Sequence, residues 1–591
     1  MVPRFVWRVI NLVAMIAMLL TLNVAIPGIA ASAKNDEKHR IVVVAKDSAE
    51  FAKLRDEVKA KGGRILKEEA QVFQLVIEGT ASLKNELAAS PHATGVALDR
   101  IVKIVPPEQQ PAAGPNTTPS LNRIDLGKAS KPNQVNPDPA FDLKGLMWDF
   151  DRIQAPKAWK ITTGKPAVLV GVADTGLDFT HSELASKVID VVDFTDTEDP
   201  PLCTTYFGYS DADFATMFGG PEKTDWNGHG SWIGGNIAAA LDGVGINGIA
   251  PNVGLVALKI SQWCGYAYDS EILDAFLYAA DHGINIVSIS FGGYLDLTDP
   301  EQKLIFDQYI NTVAYARSKG TLIVAAAGNE HLRVGPGGKV LSHGPLTAPG
   351  TSAADFADLF GWYENPGGIP GVVDVASTGN VVNPTSETCS DETANNINAT
   401  CKPVSDPHQP FGAGKQNQLA YYSNYGPRID VAAPGGARKF NLPYWDRGGT
   451  PGFPYTPDDG TNAWETFSIT SNWALEIPCF VNLGPEFYAD ECYSTIQGTS
   501  MATPHVSAVA ALIASANPRA RRNPALLEFL LKESAKEIEG NKTPGLSASD
   551  TSSGDFSGLP CDTGYCHLGG KAISDREAYG AGLVNAYNAV K

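Results

Sequence analysis

The feature that most constrains the fold is an alternation of apolar, β-rich runs with helical segments in the part of the chain after Trp148. The segments between the runs, such as 269–282 and 303–319, space their apolar residues as helices do. The predicted buried strands are 168–173, 254–260, 284–289 and 321–327. Strands that alternate with helices in this way form a mainly parallel sheet covered by helices. The sequence therefore predicts an α/β domain over 148–591, which we call the body.

Three turn-rich tracts without periodicity interrupt the later part of the body. They span approximately 331–368, 380–418 and 436–492. Clusters of Gly, Pro, Asn and Ser between periodic segments are typical of loops. We therefore expect these tracts to be surface insertions.

Charge is unevenly distributed along the 591 residues, whose net charge is −19. Residues 1–105 hold 15 basic and 11 acidic side chains, whereas the remainder holds 31 and 54. An acidic body argues against nucleic acid or an anionic membrane as the partner. It also leaves carboxylates available for calcium. The opposite charges of the two parts predict that they bind each other.

The N-terminus has the layout of a secretory signal peptide over 1–33. Arg4 and Arg8 precede an apolar run at 9–26, and small residues follow at 31–33, where a signal peptidase would cut. The alternative is an uncleaved anchor helix, because the run is long enough to approach a membrane span. Polar residues interrupt the run, which favours cleavage. The sequence thus predicts a secreted, extracellular protein with no membrane attachment after cleavage.

Residues 34–105, here called the leader module, have the pattern of a small ferredoxin-like α+β unit. Helices are predicted to begin near Ser48 and Ser82. The predicted strands are 41–44, 72–77 and 101–105, the last of which closes the module. Residues 106–147 are rich in Pro, Gln, Asn and Ala, which predicts a linker open to proteolysis.

All eight cysteines lie beyond the leader module. They are Cys203, Cys264, Cys389, Cys401, Cys479, Cys492, Cys561 and Cys566. An even number in a secreted chain predicts disulfides. The last six form three pairs close in sequence, which favours their sequential pairing and leaves Cys203–Cys264 by exclusion, although eight cysteines allow 105 connectivities. Metal ligation is the alternative, and it is disfavoured because no Cys-x-x-Cys occurs.

Four short motifs carry side chains suited to catalysis. Asp174 directly follows a predicted strand, His229 lies between two glycines at a helix start, and Asn329 follows Gly328 at the end of another strand. Ser500 begins an apolar helix after a tight Gly turn. Each motif alone has a structural explanation, such as a turn or a helix cap. Their combination is what indicates chemistry.

Together these motifs resemble the subtilisin-like serine proteases, or subtilases. Asp174, His229 and Ser500 follow the chain order found in subtilisin. The segment 498–505 closely matches the most specific motif of that family. The resemblance implies a subtilisin-like parallel sheet flanked by helices, and it implies a secreted serine endopeptidase.

Further segments extend the resemblance over the body, apart from the insertions. Residues 288–293 resemble the substrate-pairing strand of the family, and 579–585 resemble its C-terminal closing segment. The leader module resembles the inhibitory propeptide, which implies that the protein is autoprocessed from a proenzyme. The partners that follow are polypeptide substrates and the protein's own leader, and we expect a monomer.

The resemblance implies a role for each site residue. His229 would act as general base, Asp174 would orient it, and Ser500 would be the nucleophile. Asn329 and the Ser500 backbone N–H would stabilise the oxyanion.

Ser290, Phe291 and Gly292 would pair with an extended peptide substrate. Catalysis would require no cofactor. The family implies structural calcium, but the sequence does not assign its ligands.

The chain departs from the family at Ser231 and Trp232, where the family usually has Thr and His. Because His229 itself is retained, the departure concerns the packing around it. Two alternatives remain open: a peptidase of narrow specificity with insertions around its cleft, and a non-catalytic relative that only binds peptides. Other hydrolase classes are disfavoured because Gly-x-Ser-x-Gly and His-Glu-x-x-His motifs do not occur.

Overall fold

A computed structural model gives the fold of the chain. It describes residues 38–104, 147–242, 246–343, 358–379, 417–420, 422–436, 469–473, 492–538 and 573–591. The predicted signal peptide, nearly all of the linker and most of the second and third insertions lie outside these residues. Within the described ranges, no helix is long and apolar enough to cross a membrane.

The leader module is a four-stranded antiparallel sheet with two helices. Its elements are β1 (Lys38–Ala45), α1 (Ser48–Ala60), β2 (Arg64–Glu69), β3 (Gln74–Thr80), α2 (Ala81–Ala88) and β4 (Ala93–Leu98). The strand order is β2-β3-β1-β4, with antiparallel neighbours throughout. This βαββαβ arrangement is ferredoxin-like. Apolar residues of β1, β3 and both helices form a core of their own.

Three details of the module differ from the sequence prediction. Asp47 caps α1 in place of Ser48, and its carboxylate accepts hydrogen bonds from Ala49 N and Glu50 N. The strand β2 was missed because four of its six residues are charged. The prediction that 101–105 closes the module is wrong, because the less apolar β4 occupies that edge of the sheet.

Thirteen described strands follow β4. The first is the end of the leader module, and the other twelve belong to the body. The thirteen are β5 (Ile101–Ile104), β6 (Leu169–Asp174), β7 (Val188–Asp193), β8 (Gly254–Lys259), β9 (Tyr266–Tyr268), β10 (Ile286–Ile289), β11 (Phe291–Leu295), β12 (Leu322–Ala326), β13 (Tyr363–Asn365), β14 (Val372–Thr378), β15 (Val431–Pro434), β16 (Ile469–Trp473) and β17 (Cys492–Ile496). Seven of them form a parallel sheet in the order β15-β14-β12-β10-β6-β8-β7. The predicted α/β fold is confirmed, and the four predicted strands are β6, β8, β10 and β12.

Helices cover both faces of the parallel sheet. The described helices of the body are α3 (Trp148–Arg152), α4 (Ala155–Ala158), α5 (Ser182–Ala185), α6 (Leu202–Phe207), α7 (Asp211–Phe218), α8 (His229–Ala238), α9 (Asp269–Asp281), α10 (Pro300–Lys319), α11 (Thr499–Ala516), α12 (Pro524–Glu533), α13 (Asp575–Tyr579) and α14 (Ala586–Val590). Apolar residues of α8, α11 and α12 form one core with the strand side chains that point to their face of the sheet. Apolar residues of α9 and α10 form a second core with the strand side chains that point to the other face. The central strands are therefore buried on both faces, as parallel strands usually are.

A second sheet joins the leader module to the body. Its order is β13-β11-β5-β9, so the strand Ile101–Ile104 lies between two strands of the body. It pairs antiparallel with both: Ile104 and Lys103 lie opposite Phe291 and Gly292, and Ile101 lies opposite Tyr268. The end of the leader module is thus bound as an extended peptide.

Charge complementarity accompanies this pairing. The module's apolar sheet residues pack in the same core as α9 and α10. Asp99 accepts hydrogen bonds from Ser270 N (3.1 Å) and Ser270 Oγ (2.6 Å) at the start of α9. Four basic residues of the module each face an acid of the body: Arg40 with Glu271, Lys67 with Asp274, Lys84 with Glu301, and Arg100 with Asp269. The attraction expected from the charge distribution therefore takes place through specific pairs.

A disulfide between Cys203 and Cys264 ties α6 to the loop that precedes β9. This is the pair that the sequence left by exclusion. The side chains of the other six cysteines lie outside the described residues, so their sequential pairing stays a prediction.

A buried ion pair links α7 to the parallel sheet. Lys259, the last residue of β8, lies 2.7 Å from Asp211 of α7, and both side chains are buried. The ammonium also donates to the carbonyl oxygens of Thr175 (2.6 Å) and Ser261 (3.0 Å). Burial raises the pKa of Asp211 to about 6 even though Lys259 opposes the shift.

We predict that Lys259→Met lowers the free energy of unfolding by about 3–5 kcal/mol, because it leaves Asp211 buried and unpaired. The loss should be smaller at pH 5 than at pH 8. A folded-state pKa above the unfolded one means that protonation, which removes the unpaired charge, favours the folded state at low pH. Urea unfolding of variants that also carry Ser500→Ala, to prevent autolysis, provides the measurement.

Adding Asp211→Asn to Lys259→Met is the control. The amide keeps the acceptor for Trp263 N (2.8 Å) but carries no charge, so it should restore at least about 1 kcal/mol. Equal stability of the single and double variants, or a loss independent of pH, would contradict the assignment.

Candidate active site

The predicted site residues are located where strands end and helices begin. Asp174 is the last residue of β6 and Asn329 lies just beyond β12, at the same edge of the parallel sheet. His229 is the first residue of α8 and Ser500 the second of α11, and these two helices pack against each other. Open α/β sheets place their sites at this edge.

Asp174 and His229 are in direct contact. The distance between Asp174 Oδ1 and His229 Nδ1 is 2.8 Å, and the residues are 1% and 2% exposed. Because a carboxylate only accepts hydrogen bonds, Nδ1 carries the proton in this contact. The other ring nitrogen, Nε2, is buried and has no hydrogen-bond partner within the described residues. It is therefore the nitrogen able to accept a proton.

A second buried carboxylate, Asp225, joins the segments that carry these two residues. Its Oδ1 accepts from Thr175 Oγ1 (2.9 Å) and Gly228 N (2.8 Å), and its Oδ2 accepts from Ser231 N and Oγ (both 2.8 Å). Thr175 Oγ1 in turn accepts from Gly230 N (3.0 Å). The sequence analysis missed Asp225, although an acid four residues before the histidine is suited to cap the turn into α8.

The departure from the family at 231–232 has a structural explanation. Besides donating to Asp225, the Ser231 hydroxyl accepts from Asp178 N (2.8 Å), so it links the helix to the loop after β6. Trp232 is fully buried in the core, and its carbonyl accepts from Ser471 Oγ (2.8 Å). Both residues pack behind His229 and leave its contact with Asp174 intact.

Close backbone contact explains the glycine that follows His229. A Cβ on Gly230 would lie 2.0 Å from the carbonyl oxygen of Gly176. The first turn of α8 therefore lies directly against the turn after Asp174, which sets the distance between the two side chains.

Asn329 contacts the residue next to Ser500. Its side-chain oxygen accepts from Thr499 N (2.9 Å) and Thr499 Oγ1 (2.8 Å). Because the oxygen faces Thr499, the NH₂ group of the same amide points away from these contacts. Asn329 is thereby held beside the first turn of α11.

Pro504 accounts for a further contact at Ser500. A proline within a helix removes the N–H that would bond the carbonyl four residues earlier, which here is that of Ser500. Ser290 Oγ donates to this carbonyl at 3.3 Å. The side chain of Ser290, predicted to bind substrate, therefore supports Ser500, and its main chain lies next to the peptide-pairing strand.

Phe291 and Gly292 pair with the end of the leader module, as a substrate-pairing strand would. A glycine in such a strand is expected to make room for the peptide, but a Cβ on Gly292 would instead lie 2.5 Å from the carbonyl oxygen of Asn365. Gly292 therefore makes room for β13.

Two further observations delimit the site. His505, the other histidine of the serine motif, is held by Met501 O (2.8 Å) and Asp149 (2.9 Å) away from Asp174, which gives it a structural role. In the part of the chain that the structure describes, no group of three or more His, Cys, Asp or Glu residues could hold a metal ion. The calcium that the resemblance implies therefore has no assigned ligands here.

Comparison with known proteins identifies the family. The subtilase family profile matches residues 165–556. Thermitase of Thermoactinomyces vulgaris is 26% identical over 408 residues, covering 69% of this chain and 93% of thermitase. A thermophilic serine proteinase of Bacillus sp. (strain AK1) is 25% identical over 430 residues, covering 72% of this chain and 71% of the relative.

Solved structures share the fold. The epidermin leader peptide processing serine protease of Staphylococcus aureus superposes with a TM-score of 0.55 at 20% identity, covering 94% of this chain and 98% of that one. Fervidolysin of Fervidobacterium pennivorans, a keratinolytic enzyme related to subtilisin, has a TM-score of 0.53 at 20% identity, covering 94% and 61%. Because the family profile matches more than half of its residues, the chain belongs to the subtilase family of serine endopeptidases.

Proposed function

We propose that this subtilase is a secreted endopeptidase that is made as a proenzyme and hydrolyses peptide bonds through Asp174, His229 and Ser500. The observation that carries the proposal is the 2.8 Å contact between Asp174 and His229 Nδ1 at the sheet edge where the Ser500 helix begins. Secretion rests on the sequence of residues 1–33.

Each residue of the triad has a distinct task. A serine hydroxyl is a weak nucleophile and needs an adjacent base. His229 Nε2 takes the proton of Ser500 as the hydroxyl attacks the carbonyl carbon, and it later gives that proton to the leaving amine. Asp174 holds Nδ1 protonated and stabilises the imidazolium that forms. Water then repeats the sequence on the acyl-enzyme.

The oxyanion of the tetrahedral intermediate needs donors that are already oriented. Asn329 supplies its NH₂ group, and the contacts of its oxygen with Thr499 support this orientation. The backbone N–H of Ser500 lies in the first turn of the 18-residue helix α11, where the helix dipole favours negative charge.

The leader module supports both the substrate path and the proenzyme. Its strand β5 pairs with β9 and β11 on its two sides, as a bound peptide would. While β5 occupies this position, a substrate cannot use it. The module therefore acts as an inhibitor until the linker 106–147 is cut and the module is released.

We predict that Ser500→Ala reduces peptide hydrolysis by about 10⁶, the size of the loss measured when the nucleophile of subtilisin is removed. Casein hydrolysis and labelling by a fluorophosphonate probe provide the measurement. Ser515→Ala, in the same helix, is the matched control and should keep both activities. A folded Ser500→Ala protein with more than about a tenth of the normal activity would refute the triad, and a normal protein that is not labelled would favour the binding-only alternative.

Asn329→Ala should lower kcat by about 10²–10³ and change KM little, because the amide bonds to the oxyanion only as charge develops. Asn329→Asp is a second test. It retains the acceptor for Thr499 but lacks the NH₂ group, so a similar loss in both variants assigns the effect to the donor. A rise in KM at constant kcat would instead make Asn329 a substrate-binding residue.

The leader module should stay attached in the Ser500→Ala protein, because self-cleavage needs the nucleophile. In the normal protein we expect the cut between residues 105 and 146, read by mass spectrometry of the new N-terminus. The isolated module 34–105 should inhibit the mature enzyme competitively. A module that ends at Asp99 lacks β5 and should inhibit far less. Processing of Ser500→Ala at the normal position without another protease would contradict autoprocessing.

A further inference from the structure

Three acidic side chains cluster beneath the strand that pairs with the leader peptide. Glu364 of β13 lies opposite Tyr294 of β11 in the antiparallel register. The Tyr294 hydroxyl donates to Glu330 Oε2 at 2.7 Å, and Glu330 directly follows Asn329. A Cβ on Gly367 would lie 2.4 Å from Glu364 Oε1 and 2.9 Å from Asp374 Oδ1. We call Glu330, Glu364 and Asp374 the acidic cluster.

Glu364 and Asp374 are the least compensated members of the cluster. Glu364 is 3% exposed and Asp374 is fully buried, and the carboxylate oxygens of both have no hydrogen-bond partner within the described part of the chain. Burial and the neighbouring Asp374 raise the pKa of Glu364 well above its usual range. Burial also raises the pKa of Asp374 to about 7. Buried carboxylates are normally paired, so this arrangement requires an explanation.

The nearby cation does not neutralise the cluster directly. Arg428 donates to Asp430 (2.7 Å) and to backbone carbonyls, among them that of Val372 at 2.8 Å. Lys532 also binds Asp430, at 2.7 Å. Both cations therefore make their short contacts elsewhere, and Arg428 acts on Glu364 only through space. Within the described residues, no cation is hydrogen-bonded to the carboxylates of Glu364 or Asp374.

Glycines let the cluster come into close contact with the backbone at the reacting end of the site. A Cβ on Gly328 would lie 2.7 Å from Glu330 Oε2 and 2.9 Å from the Tyr294 hydroxyl oxygen. A Cβ on Gly367 would lie 3.2 Å from the carbonyl oxygen of Ala326. Because Gly328 precedes Asn329, the cluster adjoins the proposed oxyanion donor.

The register of β5 indicates which substrate residue comes nearest to the acidic cluster. In an antiparallel pair, Ile104 lies opposite Phe291, so a substrate in the same register places its next residue opposite Ser290. Ser290 bonds the carbonyl of Ser500. That next residue is therefore the one whose carbonyl Ser500 attacks. Residues two apart share a face of a strand, so Ser290 shares its face with Gly292 and Tyr294.

We propose that Glu364, together with Glu330, receives the ammonium or guanidinium group of the substrate residue whose carbonyl is attacked, so that the enzyme cuts after lysine and arginine. The inference rests on the proposed function of Ser500. A long basic side chain can extend past Gly328 and bring its charge to the buried carboxylates, where apolar chains leave them unpaired. Such a site discriminates strongly, because only a basic side chain supplies a partner to the buried carboxyl groups.

In the register of β5 the leader residue opposite Ser290 is Val105, so this preference requires self-processing at a basic residue further along the linker. The segment 106–147 contains Arg123, Lys128, Lys131 and Lys144. Lys131 precedes a proline. Self-processing at a basic residue is therefore possible at several positions after the bound strand.

The test uses the secreted, processed enzyme and tetrapeptide p-nitroanilides that differ only in the last residue. We expect kcat/KM for lysine and arginine to exceed that for norleucine, the uncharged analogue of lysine, by about 10²–10³. Glu364→Gln should lower kcat/KM for lysine by about 10² and that for norleucine by less than about threefold. Glu533→Gln, the same change at an exposed position of α12, is the matched control and should alter neither.

Several outcomes would overturn the inference. Norleucine or phenylalanine substrates cleaved as fast as lysine would do so, and so would an equal loss on all substrates in Glu364→Gln. If Glu364→Gln does not fold, Glu330→Gln and the normal enzyme's substrate ratio decide the matter. If the probe labels Ser500 and uncharged substrates are cleaved as fast as lysine, the proposed function stands and the inferred preference for basic residues is refuted.

Discussion

The contact between Asp174 and His229 joins two segments that are 55 residues apart in the chain. It requires both segments to be held at hydrogen-bond distance in a buried site. Several buried polar groups meet this requirement together. Asp225 accepts from the side-chain hydroxyl of Thr175 next to Asp174 and from the backbone N–H of Gly228 next to His229, while the Lys259 ammonium donates to the carbonyl of Thr175. Each of these groups would destabilise the fold if it were buried alone, because an unpaired buried charge costs several kcal/mol. Paired as they are, they fix the geometry, and Ser231 belongs to the same network.

The leader module meets a complementary requirement of the body. Burial raises the pKa of Glu271 at the start of α9, and the neighbouring Glu198 adds to the shift, whereas Arg40 of the module opposes it. Arg40 lies within 3.7 Å of Glu271 and over the ring of Tyr268. The module therefore supplies positive charge where the body buries acids, while its last strand supplies main-chain hydrogen bonds. Charge mainly accelerates such an encounter, and strand pairing determines the register.

How much the sequence predicted depended on the range of the interactions involved. The four central strands were correctly predicted because each is a continuous apolar run, and Asp174, His229, Asn329 and Ser500 were found because glycines mark their turns. The charged strand β2 was missed because it lacks an apolar run, and 101–105 was predicted to close the leader module because strand partners are not encoded locally. Asp225 and Glu364 were missed for a related reason. Their roles arise from burial and from neighbours distant in the chain, which no local pattern reports.

Local motifs specify the proposed catalytic residues, whereas residues distant in the chain form the proposed specificity site. The proposed reacting groups lie at strand and helix ends, where short motifs specify them. The acidic cluster instead combines a residue next to Asn329 with others on β13 and β14, which the fold brings together. Substitutions there alter the charge that the site accepts without touching the Asp174–His229 contact. A subtilase can therefore change the side chain that it selects while its catalytic geometry stays the same, and in this chain Glu364, whose carboxylate has no hydrogen-bond partner within the described residues, is the position at which we propose this change.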